Sequence, residues 1–284
     1  MIRSVVLVGA LAGFAASAHA QFQITPGGAN AGNGYFRNGA IGTSATGTGV
    51  TGADLRNTTS TGTDQLFQMW WWYRGAGDTR EYTFANQAVA GGPTGAGTLV
   101  GNTTNTLAVG GYDFTVTNST AGYAFTSTQR YEIFHGGTGP QVLVTNVITN
   151  TGSNVADLSL FLYGDFDVNG TSGTDTWVYG GNQFTITDAA STVNWAGYGA
   201  SAYQATTYST LRGNLSNTSV NNFDNTLGAG TGDYTGGFQW NLVLQPGQSA
   251  TLVSGIGVNA PAIPAPGALA LLGLGGLVIA KRRR

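Results

Sequence analysis

The chain has 284 residues, only 8% of them charged, and no cysteine. Disulfides, a thiol nucleophile and Cys-ligated metal are therefore excluded. Between residues 21 and 260 six arginines stand against thirteen acids with no lysine, a net charge of −7. Such a body argues against nucleic acid, whose phosphates require a basic face.

The first element is "MIRSVVLVGALAGFAASAHA". A basic Arg3, an apolar stretch from Val5 to Phe14 and the small-residue exit Ala18-His19-Ala20 have the layout of a secretory signal peptide over residues 1–20. Signal peptidase is then the first partner, and the mature chain starts near Gln21 beyond the inner membrane.

From residue 21 to 260 the sequence predicts strands and no amphipathic helix. In "VADLSLFLY" (155–163) Leu158, Leu160 and Leu162 share one face, and Asp157, Ser159, Phe161 and Tyr163 the other. "YDFTVT" (112–117), "YEIF" (131–134), "QVLVTNVIT" (141–149), "FTIT" (184–187), "FQWNLVL" (238–244) and "ATLVSGIGV" (250–258) alternate in the same way. "NTGSN" (150–154) and "QPGQ" (245–248) supply turn chemistry for hairpins. Gly/Thr-rich residues 39–63, and residues 86–106, read as long surface loops. The fold class is all-β: one large antiparallel β-sandwich over residues 21–260, between an N-terminal signal peptide and a short C-terminal transmembrane helix.

Two stretches invite ligands. In "MWWWYRGAGDTREY" (69–82) alternation sends Trp70 and Trp72 one way and Trp71 and Tyr73 the other. One pair must be core; the other is a candidate sugar-stacking platform, with Trp70 and Trp72 put forward for ligand binding. Core packing of both pairs is the competing reading, since the chain is poor in long aliphatics. Arg74, Arg80 and Glu81 beside them suggest a paired charge cluster.

The second stretch is "DFDVNGTSGTD". Asp165, Asp167 and Asn169 alternate ahead of Gly170, matching the first half of a calcium loop. Asp175 supplies a further acid, one place before the position of the usual bidentate glutamate. Calcium takes six to eight oxygens, and a glycine lets several converge. The site would be a calcium loop at a strand end, and an ordinary Asn/Asp/Gly turn is the alternative.

Catalytic groups are scarce. His135 is the one histidine left after signal removal, and Glu81 and Glu132 are the only glutamates. A three-His zinc site is excluded, and the body is expected not to be an enzyme.

The last element is "PAPGALALLGLGGLVIAKRRR". Its apolar run, Gly267 to Ala280, spans roughly 21 Å as a helix, short of the roughly 30 Å hydrocarbon core. Lys281, Arg282, Arg283 and Arg284 should stay cytoplasmic. A proline-flanked motif, a Gly/Leu/Ala-rich run and a terminal basic cluster, in that order, resemble the PEP-CTERM sorting signal over residues 261–284. Pro264, Ala265 and Pro266 form the motif, with Ala265 where that family has glutamate. The resemblance implies an exosortase-type processing enzyme as partner, transient inner-membrane association, and release to the cell surface or the extracellular space. It also implies an association with exopolysaccharide.

Together these readings describe an exported cell-envelope or extracellular-matrix protein with a structural or adhesive body. The alternatives are a carbohydrate-binding module using the aromatics of residues 70–73 and, behind it, a secreted glycoside-active enzyme.

Overall fold

The computed structural model describes residues 22–25, 34–38, 52–57, 62–84, 93–100, 109–135 and 138–263. In chain order the strands begin with β1 (Phe22–Ile24), β2 (Tyr35–Asn38), β3 (Ala53–Arg56), β4 (Gln68–Gly75), β5 (Tyr82–Thr83) and β6 (Thr94–Val100). Next come β7 (Val109–Asn118), β8 (Tyr123–His135), β9 (Pro140–Asn150), β10 (Ala156–Phe166), β11 (Asp175–Gly180) and β12 (Gln183–Asp188). β13 (Ser191–Tyr198) and β14 (Ala202–Thr207) precede a short helix α1 (Thr210–Ser216), and β15 (Thr231–Gly232), β16 (Tyr234–Leu244) and β17 (Ser249–Val258) follow it.

These strands form an antiparallel sandwich. A nine-stranded sheet runs β15-β11-β12-β13-β17-β9-β8-β7-β6, a five-stranded sheet runs β14-β16-β10-β4-β5, and β1-β2-β3 make a small third sheet. Aromatic side chains meet between the two large sheets. Tyr73 of β4 meets Phe125 of β8 at 5.3 Å, and Phe238 of β16 meets Trp195 of β13 at 4.9 Å. Burial of large rings is the main stabilising term available to a chain with few long aliphatics.

β10 shows how alternation becomes architecture. It is central in its sheet, paired with β16 from Ala156↔Leu244 to Phe166↔Tyr234 and with β4 from Leu158↔Gly75 to Asp165↔Gln68. Leu160 and Leu162 lie opposite Tyr73 and Trp71, on the face that packs against the large sheet. Phe161 and Tyr163 lie opposite Trp72 and Trp70 on the other face. That second face is covered too. Phe223 packs on Phe161 at 5.3 Å, and α1 buries Leu211 and Leu215. Arg74 fastens this cover from β4. Its guanidinium donates to Glu81, to the carbonyl of Asn221 at 2.6 Å and to Asn222 Oδ1 at 2.7 Å. Arg80 leaves the predicted cluster and donates to the carbonyl of Ser216 at 2.6 Å.

Three expectations are corrected here. The short helix α1 lies where only strands were expected. β3 falls inside the Gly/Thr-rich segment 39–63, and β6 inside 86–106, both read as loops. The main chain also stays tied to the sandwich as far as Ile263: Gln141 donates to the carbonyl of Pro261 at 2.6 Å, and Tyr198 to that of Ile263.

The predicted signal peptide (1–20) lies outside the described residues, as do Pro264, Ala265, Pro266, Lys281, Arg282, Arg283 and Arg284. Among the described residues no helix is long and apolar enough to cross a membrane.

Candidate functional site

The aromatic run of β4 is not a sugar platform. Trp70, Trp71 and Trp72 are 0% exposed and Tyr73 is 2% exposed. Both faces of the strand are covered, so Trp70 and Trp72 pack inside the molecule: Trp70 sits edge-on to Tyr112 and Trp72 edge-on to Tyr163. The sequence leaves open which pair faces solvent, and the structure buries both.

The surface chemistry lies at the far end of β10. A cavity of about 260 Å³ is lined by Phe67, Asp165, Asp167, Ser172, Tyr208 and Asp233. Carboxylate oxygens of Asp165, Asp167 and Asp233 lie within 4.8 Å of one another, an arrangement able to hold a metal ion.

Strand pairing builds this triad. Asp165 is the penultimate residue of β10, facing Thr235 of β16 and Gln68 of β4. Continuing the β10–β16 register one step past Phe166↔Tyr234 sets Asp167 opposite Asp233. Asp165 precedes Asp167 by two residues and so shares its face of the sheet. Beyond Asp167 the chain turns through a 3-10 segment, Val168–Gly170, in which Asn169 and Gly170 take positive φ of 62° and 74°. Left-handed backbone suits Asn and Gly best, and this is why the sequence there reads Asn-Gly.

Hydrogen bonds hang the rim of the cavity from the acids. The N–H of Phe67 donates to the carbonyl of Asp165 at 2.8 Å, and the N–H of Tyr208 to that of Asp233 at 2.8 Å. The two rings are 47% and 43% exposed, unlike the buried rings of β4.

The carboxyl groups resist ionisation. Asp165 is pushed up to about 8, first by burial and then by the charges of Asp167 and Asp233. Asp167 is raised by burial and by Asp233, and Asp233 by burial. One oxygen of Asp165 receives a long 3.4 Å bond from the Tyr163 hydroxyl, and the other has no partner.

Four residues were proposed as ion ligands from sequence, and the structure gathers two of them, Asp165 and Asp167. Asn169 is turned out to solvent by its left-handed backbone, its N–H bonded to Gln65 Oε1 at 2.8 Å. Asp175 starts β11 and is buried, where it accepts a 3.4 Å bond from the Tyr234 N–H. Burial, with the charges of Asp167 and Asp188, lifts its pKa to about 7. Asp233 takes the third place. A sequence spacing rule misses it, because it reaches the site through strand pairing. The available signal was an acid immediately before the strand "YTGGFQWNLVL", which pairs antiparallel with β10. Phe67 and Tyr208 carried no signal, since isolated rings in loops look alike whether core or rim.

No protein-family model matches this chain, and no curated protein does. Solved structures are similar in fold. A bacterial glucoamylase complexed with acarbose superposes with a TM-score of 0.51 at 10% identity, over 85% of this chain and 32% of that one. The chain thus spans about a third of the glucoamylase chain's length. A putative aldose 1-epimerase from Escherichia coli gives 0.47 at 10% identity, covering 84% and 98% of the two chains. A galactose mutarotase-like protein from Lactobacillus casei gives 0.42 at 9%, covering 83% and 99%.

The glucoamylase likeness is one of fold. It overturns the expectation that the body is not an enzyme. That expectation rested on scarce His and Glu, yet the same architecture occurs within a glucoamylase chain, so the composition gives no ground for excluding catalysis.

Proposed function

We propose that this is an exported saccharide-binding protein whose binding site is the cavity between Phe67 and Tyr208. The observation that carries the reading is the pairing of two exposed rings with three carboxyl groups around one cavity of about 260 Å³. Aromatic faces stack on the apolar faces of pyranose rings, and carboxylates accept hydrogen bonds from sugar hydroxyls. A few polar groups set in a concave, partly apolar wall are the usual form of a small-molecule site. The likeness in fold to a glucoamylase supports a carbohydrate ligand.

Delivery belongs to the same reading. Residues 1–20 direct export, and residues 261–284 hold the protein in the inner membrane until an exosortase-type enzyme acts near Pro264–Pro266. The saccharide is then met at the cell surface or outside it, where exopolysaccharide lies. An ion taken at the triad would be a hard one, calcium foremost, because every donor there is oxygen.

The test is a glycan array probed with the purified protein and with Phe67→Ala and Tyr208→Ala. Retention of a defined glycan that both substitutions abolish, with the fold intact by near-UV circular dichroism, supports the reading. Equal retention by both variants, or none by the wild type, overturns it.

A second reading, sugar processing, rests on Asp165, a carboxyl held neutral near pH 7 beside two others; such contrasts serve acid–base chemistry. Turnover of the bound glycan that Asp165→Asn abolishes, with binding kept, would establish it.

A further inference from the structure

We propose that the saccharide is held through a divalent cation. Asp165, Asp167 and Asp233 bind the ion from below, and two vicinal hydroxyls of a neutral sugar complete its shell from the cavity. The inference rests on the cavity being the saccharide site, and it adds the ion as the bridge and the sugar class.

Asp167 and Asp233 oppose each other across β10 and β16, with Asp165 on the same face. Like charges directly opposed on a sheet destabilise it. Some acids elsewhere are answered by arginine: Arg37 and Arg56 reach Asp54, Arg56 also reaches Asp64, Arg74 reaches Glu81, and Arg130 reaches Asp113. Among the described residues no such ion pair reaches any of the triad. The nearby guanidinium of Arg212 is directed to Gln68 Oε1 at 3.4 Å.

Asp165 is 1% exposed, its Oδ1 has no hydrogen-bond partner, and the residue lines the cavity. A buried acceptor left unsatisfied costs about 1–3 kcal/mol, more if charged. Its neighbours do not discharge that cost: Tyr163 gives a long bond to the other oxygen, and the peptide N–H groups of β10 are engaged in the sheet. An oxygen in that state, at the floor of a cavity and beside two more carboxylates, fits a cation ligand.

The three carboxylates sit on one sheet face, so they cover one side of an ion. Ca²⁺ requires six to eight oxygens at roughly 2.3–2.6 Å. The remaining positions open toward the space between Phe67 and Tyr208. A vicinal diol presents two oxygens at bidentate spacing, with an adjoining apolar face for a ring. Charge selects the sugar. Three ionised carboxylates and one dication sum to −1, and Arg212 nearby offsets this at most to neutrality, so uronate and sulfated glycans find no net positive charge there and neutral ones are left.

The experiment uses the purified chain stripped with chelator. Calcium chloride alone is titrated by calorimetry into the wild type, Asp233→Asn, Asp167→Asn and Phe67→Ala. Neutral and uronate-containing oligosaccharides are then tested with calcium and with chelator. The expected result is a calcium heat in the wild type and in Phe67→Ala, lost in both Asp→Asn variants. Neutral oligosaccharide is retained only with calcium, and Phe67→Ala loses it while keeping the calcium heat. Saccharide retained equally in chelator overturns the bridge and leaves the saccharide site standing. A calcium heat with no saccharide bound overturns the saccharide site and, with it, the bridge. A preference for uronates overturns the sugar class. Two isosteric variants are included so that failure of one to fold leaves the ion assignment testable.

Discussion

Asp167 and Asp233 face each other one step beyond the last paired residues of β10 and β16, Phe166 and Tyr234. Among the described residues no ion pair reaches either acid, and both are harder to ionise than free aspartate because burial disfavours their charge. Calcium should therefore stabilise the fold measurably. At a hundredfold excess over Kd a ligand of the native state adds about 2.7 kcal/mol, or roughly 5–10 °C in Tm for a domain of this size. Scanning calorimetry with calcium and with chelator checks this, and Asp167→Asn should remove the difference.

The rim and the buried tryptophans should separate stability from binding. Phe67→Ala and Tyr208→Ala remove exposed rings and should change stability by less than about 0.5 kcal/mol. Trp71→Ala empties a site 0% exposed against Trp240 and should cost about 3–5 kcal/mol. Urea denaturation of the three variants distinguishes these outcomes. A marginal Trp71→Ala would show that the inter-sheet packing is not where the stability lies.

Arg74 should behave as a fastener. Glu81 is 0% exposed and depends on this guanidinium for its charge partner. Arg74→Met leaves a buried carboxylate uncompensated, at about 3–5 kcal/mol. It also frees Asn221 and Asn222, so hydrogen exchange should speed up across residues 216–230. Exchange confined to the wild-type pattern would mean that Phe223 and α1 hold the cover without help.

Asp175 predicts a pH dependence of one sign. Burial raises its pKa to about 7, with the charges of Asp167 and Asp188 adding to this. The folded state therefore holds the proton more tightly than the unfolded chain. Its contribution is fully present below the usual carboxylate range and is lost as pH rises through about 7. One pKa unit corresponds to about 1.4 kcal/mol, so the loss by pH 8 is on the order of 2–4 kcal/mol. Asp175→Asn, neutral at every pH, should match the wild type near pH 3 and exceed it by a growing margin up to pH 8. Thermal melts of both across that range test it.

Much of the scaffold was legible because period-two alternation is a local property. The strands at 155–163, 238–244 and 250–258 reappear within β10, β16 and β17. The turn at "QPGQ" forms as its residues dictate, with Gly247 at φ 77° and the Gln248 N–H donating to the Gln245 carbonyl at 2.9 Å. Whether Trp70 and Trp72 see solvent was not legible. That depends on partners from elsewhere in the chain, Tyr112 of β7 against Trp70 and Tyr163 of β10 against Trp72. The site was half legible for a similar reason. Asp165 and Asp167 are neighbours in sequence, whereas Asp233 joins them through the register of two strands. Asn169 was drawn in by a motif whose second half is a turn requirement and not a ligand.

The hydrogen bonds that carry the rim run between main chains: Phe67 N–H to the Asp165 carbonyl, and Tyr208 N–H to the Asp233 carbonyl. The carbonyl of Phe67 is engaged as well, by the N–H of Ala53 at 2.9 Å. None of these bonds depends on what side chain stands at 67 or 208. The acids are fixed by strand pairing, and the main-chain bonds that place the two half-exposed rings require no particular side chain. Positions 67 and 208 are therefore where this fold can change its taste in ligands, by mutation or by design, at almost no expense to the molecule that presents them.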